Sequence, residues 1–303
     1  MSTISFPSPL LDEQNMTQQC KDLMSSLPRE LGYSSSHFYQ YHGFWFLPFH
    51  LEGIHACRQH FQAHHTDVFL LTFPKSGATW LKAVAFAVMN RQTHGGSTTN
   101  RPLLATNPHD LVPFLENKLY LRGEVPDLTC LASPASVKES SSKLVYLCRN
   151  PKDPLVSFWH LPNNMRLKSE EKIPLDEVLD CYSRGVYSYG PFWDLFWVLF
   201  LKYEEMKEDP AARVRRLALF LGCPFSQEEE NSGLFDEIVK LCGFEHSSNL
   251  EVNKKGRWGS GFENRLLFRR GEVGDWKNHL TTEMADRLDT ICEGKFRGSG
   301  LKF

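Results

Sequence analysis

A single-domain α/β fold, with a parallel sheet flanked by helices, is the class that this 303-residue sequence predicts. Three observations carry the prediction. The apolar, β-branched run VFLLTF (68–73) leads through PKSGA into TWLKAVAFAVMNR (79–91), a stretch of good helix formers. The run KLVYLCR (143–149) leads through NPKDP into a helix expected to begin near Leu155. The run VLFLKY (198–203) precedes EEMKEDPAARVRRLALFLG, which is helical and amphipathic. Strand, loop and helix repeated in that order argue for a parallel α/β sheet.

Along the chain, residues 1–35 are polar and punctuated and read as a loose N-terminal arm with one helix from about Asp12 to Ser26, ahead of a domain over 36–303. The aromatic-rich HGFWFLP (42–48) fits a short strand or a surface packed on the core. Asp209 and Pro210 read as an N-cap followed by proline at the first helical position, and Gly222 as the end of that helix. Beyond it, SQEEENSGLFDEIVKLCGF continues helical. From about Asn249 to Gly274 the chain is rich in Gly, Arg and Asn and reads as a long loop, before a last helix from about Thr281 to Lys295. No internal repeat or low-complexity segment is present.

Composition excludes several classes of function. A net charge of −2 provides no broad basic field, which argues against nucleic acid or an anionic membrane as partner. Eight cysteines are scattered without a C-x-x-C pair, so most are expected as buried thiols in a reducing compartment. The N-terminus lacks a basic start followed by an apolar stretch, which makes the cytoplasm the expected location. The longest apolar run, Phe192 to Leu201, is broken only by Asp194 and is about half of what a membrane helix needs.

Local basic groups remain, and they fall on loops. Lys75, the backbone N–H groups of residues 76–79 and the hydroxyls of Ser76 and Thr79 form a candidate anion cradle at a helix start, where the helix dipole also favours negative charge. The order differs from the G-x-x-x-x-G-K-[ST] loop of kinases and ATPases, because Lys75 precedes Ser76 and Gly77. Taken alone, a surface turn before an ordinary helix reads the same way. A second loop strengthens the case: Arg149 ends one strand and Ser157 lies early in the next helix, so both can face one phosphate at the same sheet edge. The third element is FRRGEVGDWKNHL (268–280), where Arg269 and Arg270 offer planar forks for phosphate and Gly271 permits close backbone approach. A solvated turn is the ordinary alternative for RRG.

With HGFWFLP, TFPKSGATWLK, NPHDLVPFLE, KLVYLCRNPKDPLVSFWH, YGPFWD, VLFLKYEEMKEDP, NLEVNK and FRRGEVGDWKNHLT together, the sequence resembles a cytosolic sulfotransferase of the plant soluble type, over nearly its whole length. The resemblance implies a P-loop-like nucleotide-binding core and 3′-phosphoadenosine 5′-phosphosulfate (PAPS) as sulfuryl donor. It implies that Lys75, Ser76, Gly77, Ala78, Thr79 and Trp80 contact the 5′-phosphosulfate and adenine, with Trp80 stacking on the base and Lys75 stabilising charge on the bridging oxygen. Arg149, Ser157, Arg269, Arg270 and Gly271 are implied at the 3′-phosphate, and Tyr203 beside the adenine. The acceptor is implied to be a hydroxylated small molecule of flavonoid, steroid-like or oxylipin type. No metal is implied, because lysine and arginine charges take the role of magnesium. The family's dimer motif is matched near 277–286 only at Lys277 and Thr281, which leaves the oligomeric state open.

The sequence also departs from that pattern. The family's base histidine lies in a T-H-[LIV]-P segment, whereas LTCLASPASVKESSSKLVYLCR (128–149) has no histidine, and none occurs between His109 and His160. His109 reads as a solvated loop side chain, and His160 is a candidate only by proximity to Ser157. Residues of the pattern are absent between Pro134 and Lys143 and again after YGPFWD, where an apolar run must change from helix to strand without Gly, Pro or Asn. Ala78 stands in place of a threonine, and Gly243 in place of a serine beside Phe244. Two functions follow from these features: a PAPS-dependent sulfotransferase, or a catalytically impaired nucleotide-binding paralogue that lacks the histidine segment. A P-loop kinase needs its lysine after the glycine and an acidic partner for magnesium, which PKSG does not offer.

Overall fold

The computed structural model describes residues 16–33, 36–94, 101–120, 142–166, 170–191, 199–258, 262–299 and 301–303. Two sheets organise them. An antiparallel sheet is built in order from β1 (Arg29–Leu31), β2 (His37–Tyr41) and β3 (Phe44–Phe46). The parallel sheet has β4 (Val68–Thr72), β5 (Lys143–Cys148) and β6 (Leu199–Lys202) side by side with β5 central, Val68 facing Lys143 and Val145 facing Leu199.

Strand alternation sends side chains to both faces of that sheet. Val145, Leu147, Leu199 and Leu201 share a buried cluster with Leu81, Val84 and Val88 of the helix Ala78–His94 and with Leu217 and Ile238 of the helices Pro210–Leu221 and Leu234–Cys242. Tyr146 and Phe200 stack in register between them, ring centroids 6.1 Å apart. A second cluster gathers Phe73 with Leu155, Val156 and Phe158 of the helix Lys152–Met165, Val178 and Leu179 of Leu175–Arg184, and Leu288 of Thr282–Lys295. Helices therefore flank the parallel sheet, and the loops leaving β4, β5 and β6 emerge together at its C-terminal edge.

Local chemistry sets the element ends. The Asp209 carboxylate accepts from the Ala212 N–H at 2.9 Å with Pro210 behind it, and Gly222 closes the helix in the left-handed conformation. The second crossover helix starts at Lys152, three residues before the position expected from sequence, because Pro154 falls in the first turn, where a missing N–H costs no helical bond. Gly233, at φ +80°, divides the helical stretch after Gly222 into Gln227–Asn231 and Leu234–Cys242. The stretch expected as a long loop is partly ordered into the helix Glu251–Lys255, a pairing of Arg257–Trp258 with Phe262–Glu263, and a 3₁₀ turn at Asn264–Leu267. Its polar composition conceals this because two buried asparagines satisfy backbone carbonyls: Asn253 donates to Ser247 and Asn264 to Val252.

The described part of the N-terminal region is packed rather than loose. Its helix begins at Gln18, capped by the Thr17 side chain, and buries Cys20 and Met24 against Leu51 and Phe46, while β1 pairs with β2. Residues 12–15, the histidine-free stretch 128–141 and Phe192–Val198 lie outside the described residues. Among the described cysteines all seven are free thiols and six are buried. No described helix is long and apolar enough to cross a membrane.

Candidate active site

The loop after β4 turns through two residues with positive φ, Lys75 at 68° and Gly77 at 112°. Only glycine fits at 77: a Cβ there would stand 2.8 Å from the Tyr203 ring and 3.0 Å from Leu147. The helix starts at Ala78, so its first-turn N–H groups have no intrahelical acceptor and point out of the helix end. Ser76 is different. Its N–H donates to the Phe73 carbonyl at 3.0 Å, and its side chain is 1% exposed beside a small cleft shared with Phe73, Tyr146 and Arg149. The N–H cradle therefore runs from Gly77 onward, with Thr79 supplying its hydroxyl.

Arg149, just beyond β5, is buried and held on three sides. It pairs with Asp153 at 3.1 Å, donates to the Glu272 carbonyl, and lays its guanidinium 4.3 Å from the Tyr203 ring centroid. Asp153, wholly buried, also accepts from the N–H groups of Gly274 and Trp276 at 2.9 and 3.1 Å. One carboxylate thus fastens the basic loop to the second strand end. On that loop Arg269 donates to the Ser157 hydroxyl at 3.2 Å and pairs with Asp275, which also takes Arg270 at 2.9 Å. Gly271, at φ +66°, lies so close to Phe244 that a Cβ would come within 2.4 Å of its ring.

These pieces meet at one cavity of about 1380 Å³, lined by Lys75, Gly77, Ala78, Thr79, Trp80, Arg149, Ser157, Tyr203, Arg269, Arg270 and Gly271. Of the residues implied at the nucleotide, only Ser76 is not among those that line it. Trp80 and Tyr203 meet edge to face, centroids 5.5 Å apart. Burial first, and then the charges of Arg269 and Arg149, draw the Lys75 ammonium down to about 8. Burial pushes the Asp275 carboxyl up, but hydrogen bonds from Arg269 and Asn278 and the arginine charges outweigh it and hold the group at about 2. Among the described residues no group of His, Cys, Asp and Glu is arranged to hold a metal ion.

Two histidines stand differently from their expected places. His109 is not solvated: it is 3% exposed, lines the cavity, bonds Thr79 Oγ1 through Nε2 at 2.9 Å and stacks on Phe114. Burial, then the charges of Lys82 and Lys75, lower it well below the usual histidine range. The Asn107 side chain fixes it by accepting from its backbone N–H and donating to Asn253. His160 is outside the cavity lining, packed against Trp159 and His279, and burial followed by Arg269 lowers it to about 4. Asp153 and Asp275 were not singled out from sequence, although Asp153 lies four residues past Arg149, the spacing of a helical ion pair.

The family model described as "Sulfotransferase domain" matches residues 65–300. Cytosolic sulfotransferase 15 of Arabidopsis thaliana is 42% identical over 319 residues, covering 96% of this chain and 89% of the relative. That match runs longer than this 303-residue chain, so the relative carries internal residues with no counterpart here. A crystal structure of an Arabidopsis thaliana sulphotransferase superposes with a TM-score of 0.72 at 36% identity, covering 100% of both chains. A mouse sulfotransferase crystallised with PAP superposes with a TM-score of 0.60 at 27% identity, over 86% of this chain and 95% of its own.

Proposed function

The chain belongs to the sulfotransferase family, and from that premise we propose that it moves a sulfuryl group from PAPS to a hydroxyl of a small-molecule acceptor. The observation that carries the reading is the state of Lys75. It lines the cavity with no carboxylate at ion-pair distance among the described residues, and the neighbouring Arg149 and Arg269 charges work against its own. Such a cluster is relieved by an anion. The N–H groups of the first helical turn and the Thr79 hydroxyl suit the 5′-phosphate, and Arg149, Ser157, Arg269, Arg270 and Gly271 suit the 3′-phosphate. Trp80 and Tyr203 offer aromatic surface for the base.

PAPS supplies the activated sulfuryl group. In the reaction Lys75 places positive charge where negative charge grows on the leaving oxygen, and the arginines hold the nucleotide so that little reorganisation is needed. Metal-free operation is part of the proposal, as is work in the cytosol, the setting named for the Arabidopsis relatives. The proposed partner is a small hydroxylated molecule rather than a nucleic acid or a membrane. We assign the reaction to residues 36–303, with 16–33 bracing that unit.

One observation favours a second reading, a nucleotide-binding paralogue impaired in turnover: the relatives carry internal residues that this chain lacks, and 110–159 contains no histidine. Calorimetric titration with 3′-phosphoadenosine 5′-phosphate (PAP) tests what both readings share. Saturable binding that weakens at least tenfold in Arg149→Met and Lys75→Met is expected; no binding to protein that melts cooperatively would overturn both. Assay of sulfuryl transfer to simple phenols then separates the two.

A further inference from the structure

The same cavity has an end that the donor does not explain. There Glu116, Asn117 and Tyr189 form a chain: the Tyr189 hydroxyl donates to Glu116 Oε1 at 2.7 Å and accepts from Asn117 Nδ2 at 2.8 Å. Because the tyrosine proton is committed to the carboxylate, the asparagine must present its nitrogen to Tyr189 and turn its oxygen away. That oxygen, Asn117 Oδ1, is buried with no hydrogen-bond partner. So is His50 Nδ1, on a residue 7% exposed whose ring lies 4.8 Å from that of Tyr189. Glu116 Oε2 also carries no hydrogen bond among the described residues. Phe46, Phe49 and Leu115 surround these groups with apolar wall.

Buried polar atoms without partners are uncommon in folded proteins, and two of them beside a carboxylate oxygen without a hydrogen bond, all on residues that line one cavity, mark a place for a ligand. The carboxylate and the amide oxygen can only accept, so what they lack is a donor. We propose that this end is an acceptor subsite for a neutral molecule's second hydroxyl, so that the preferred acceptor is an apolar, ring-built compound with two hydroxyl groups. One hydroxyl is held by Glu116 and Asn117, and the other is left for sulfuryl transfer; the assignment of the second step rests on the function proposed above. An acceptor ending in hydrocarbon would leave the polar atoms orphaned, and one ending in a carboxylate would meet the Glu116 charge.

The test uses three para-substituted biphenyls on the full chain: one with a hydroxyl at each end, one with a hydroxyl and a methyl, and one with a hydroxyl and a carboxylate. Dissociation constants are read by calorimetry, with PAP binding measured separately. The diol is expected to bind about tenfold tighter than the methyl compound, the worth of one hydrogen bond to a charged group, with the carboxylate weakest. In Glu116→Gln, a change that keeps the shape, the carboxylate probe should gain at least several-fold and the diol's advantage should shrink several-fold, because its hydroxyl then meets a neutral amide instead of a carboxylate. Equal affinities for diol and methyl compound, a preference for the carboxylate, or no binding by any of the three overturns the proposal. PAP binding without discrimination among the biphenyls removes the subsite and leaves the donor reading intact. Discrimination without PAP binding does the reverse.

Discussion

Lys75 is kept at a cost to the unliganded fold. Its ammonium titrates near 8 against an ordinary 10.5, so between those values the unfolded chain binds more protons than the folded one. Stability of the free protein should therefore rise with pH from about 8 to 10.5, and Lys75→Met should raise it at neutral pH by up to about 2 kcal/mol, less than the whole shift because some water reaches the ammonium. Urea titrations of the two proteins at neutral pH read this; an unchanged or lower midpoint in the variant contradicts it. An anion reverses the balance by drawing the proton back. At pH 8, PAP binding should take up about half a proton, seen as a dependence of the calorimetric enthalpy on buffer, and none in Lys75→Met. Gly77→Ala should cost roughly 1–3 kcal/mol and weaken PAP binding, because the strain of a positive φ adds to a Cβ pressed on Tyr203 and Leu147. TFPKSGATW was legible as a candidate cradle only beside the second and third basic loops, because alone a lysine and a glycine ahead of a helix also read as a surface turn. The inward placement of His109 was not, since burial of a loop histidine is decided by Phe114, Asn107 and Thr79, which converge only in three dimensions.

At the scale of elements, the site is a joint between three strand ends, and Asp153 is its pin. The carboxylate takes Arg149 and two backbone N–H groups of the basic loop while wholly buried. Asp153→Asn keeps the shape but removes the charge that faces Arg149, leaving a buried guanidinium without its partner. A loss of about 3–5 kcal/mol is expected, together with weaker PAP binding and faster amide exchange at Gly274 and Trp276. Wild-type stability in the variant would mean that the Glu272 carbonyl and Tyr203 suffice to hold Arg149. The elements around this joint were readable from local chemistry: apolar runs for β4 to β6, Asp209 with Pro210 for one helix start, Gly222 for its end. The stretch from Asn249 to Gly274 was misread as a loop because its order depends on buried asparagines bonding to backbone, which leaves no apolar periodicity to detect.

For the whole molecule, the question is what chemistry the proposed function leaves when one cavity gathers the three basic loops and residues 110–159 contain no histidine. General-base assistance contributes about 10²- to 10⁴-fold, so in the proposed transfer its absence would leave the charges of Lys75 and the arginines as the main promotion. Without a base, the acceptor must lose its proton unaided, and the rate follows the fraction of acceptor already ionised. With a fixed set of phenols of increasing acidity, the rate at neutral pH should rise steeply with acidity and then level off once the phenol is ionised. For a weakly acidic phenol the rate at saturating PAPS should climb with pH past 8, because the bound anion holds the proton on Lys75 that the free protein begins to lose there. An aliphatic alcohol of similar size should be slower by about the full contribution of a base. His109 cannot restore it strongly, because an imidazole held neutral by burial and by Lys82 and Lys75 accepts a proton weakly. A flat dependence on acceptor acidity, or an alcohol as fast as a phenol, would show that the chain retains a competent base. His109→Phe then identifies it, because the dependence would steepen in the variant only if His109 were that group.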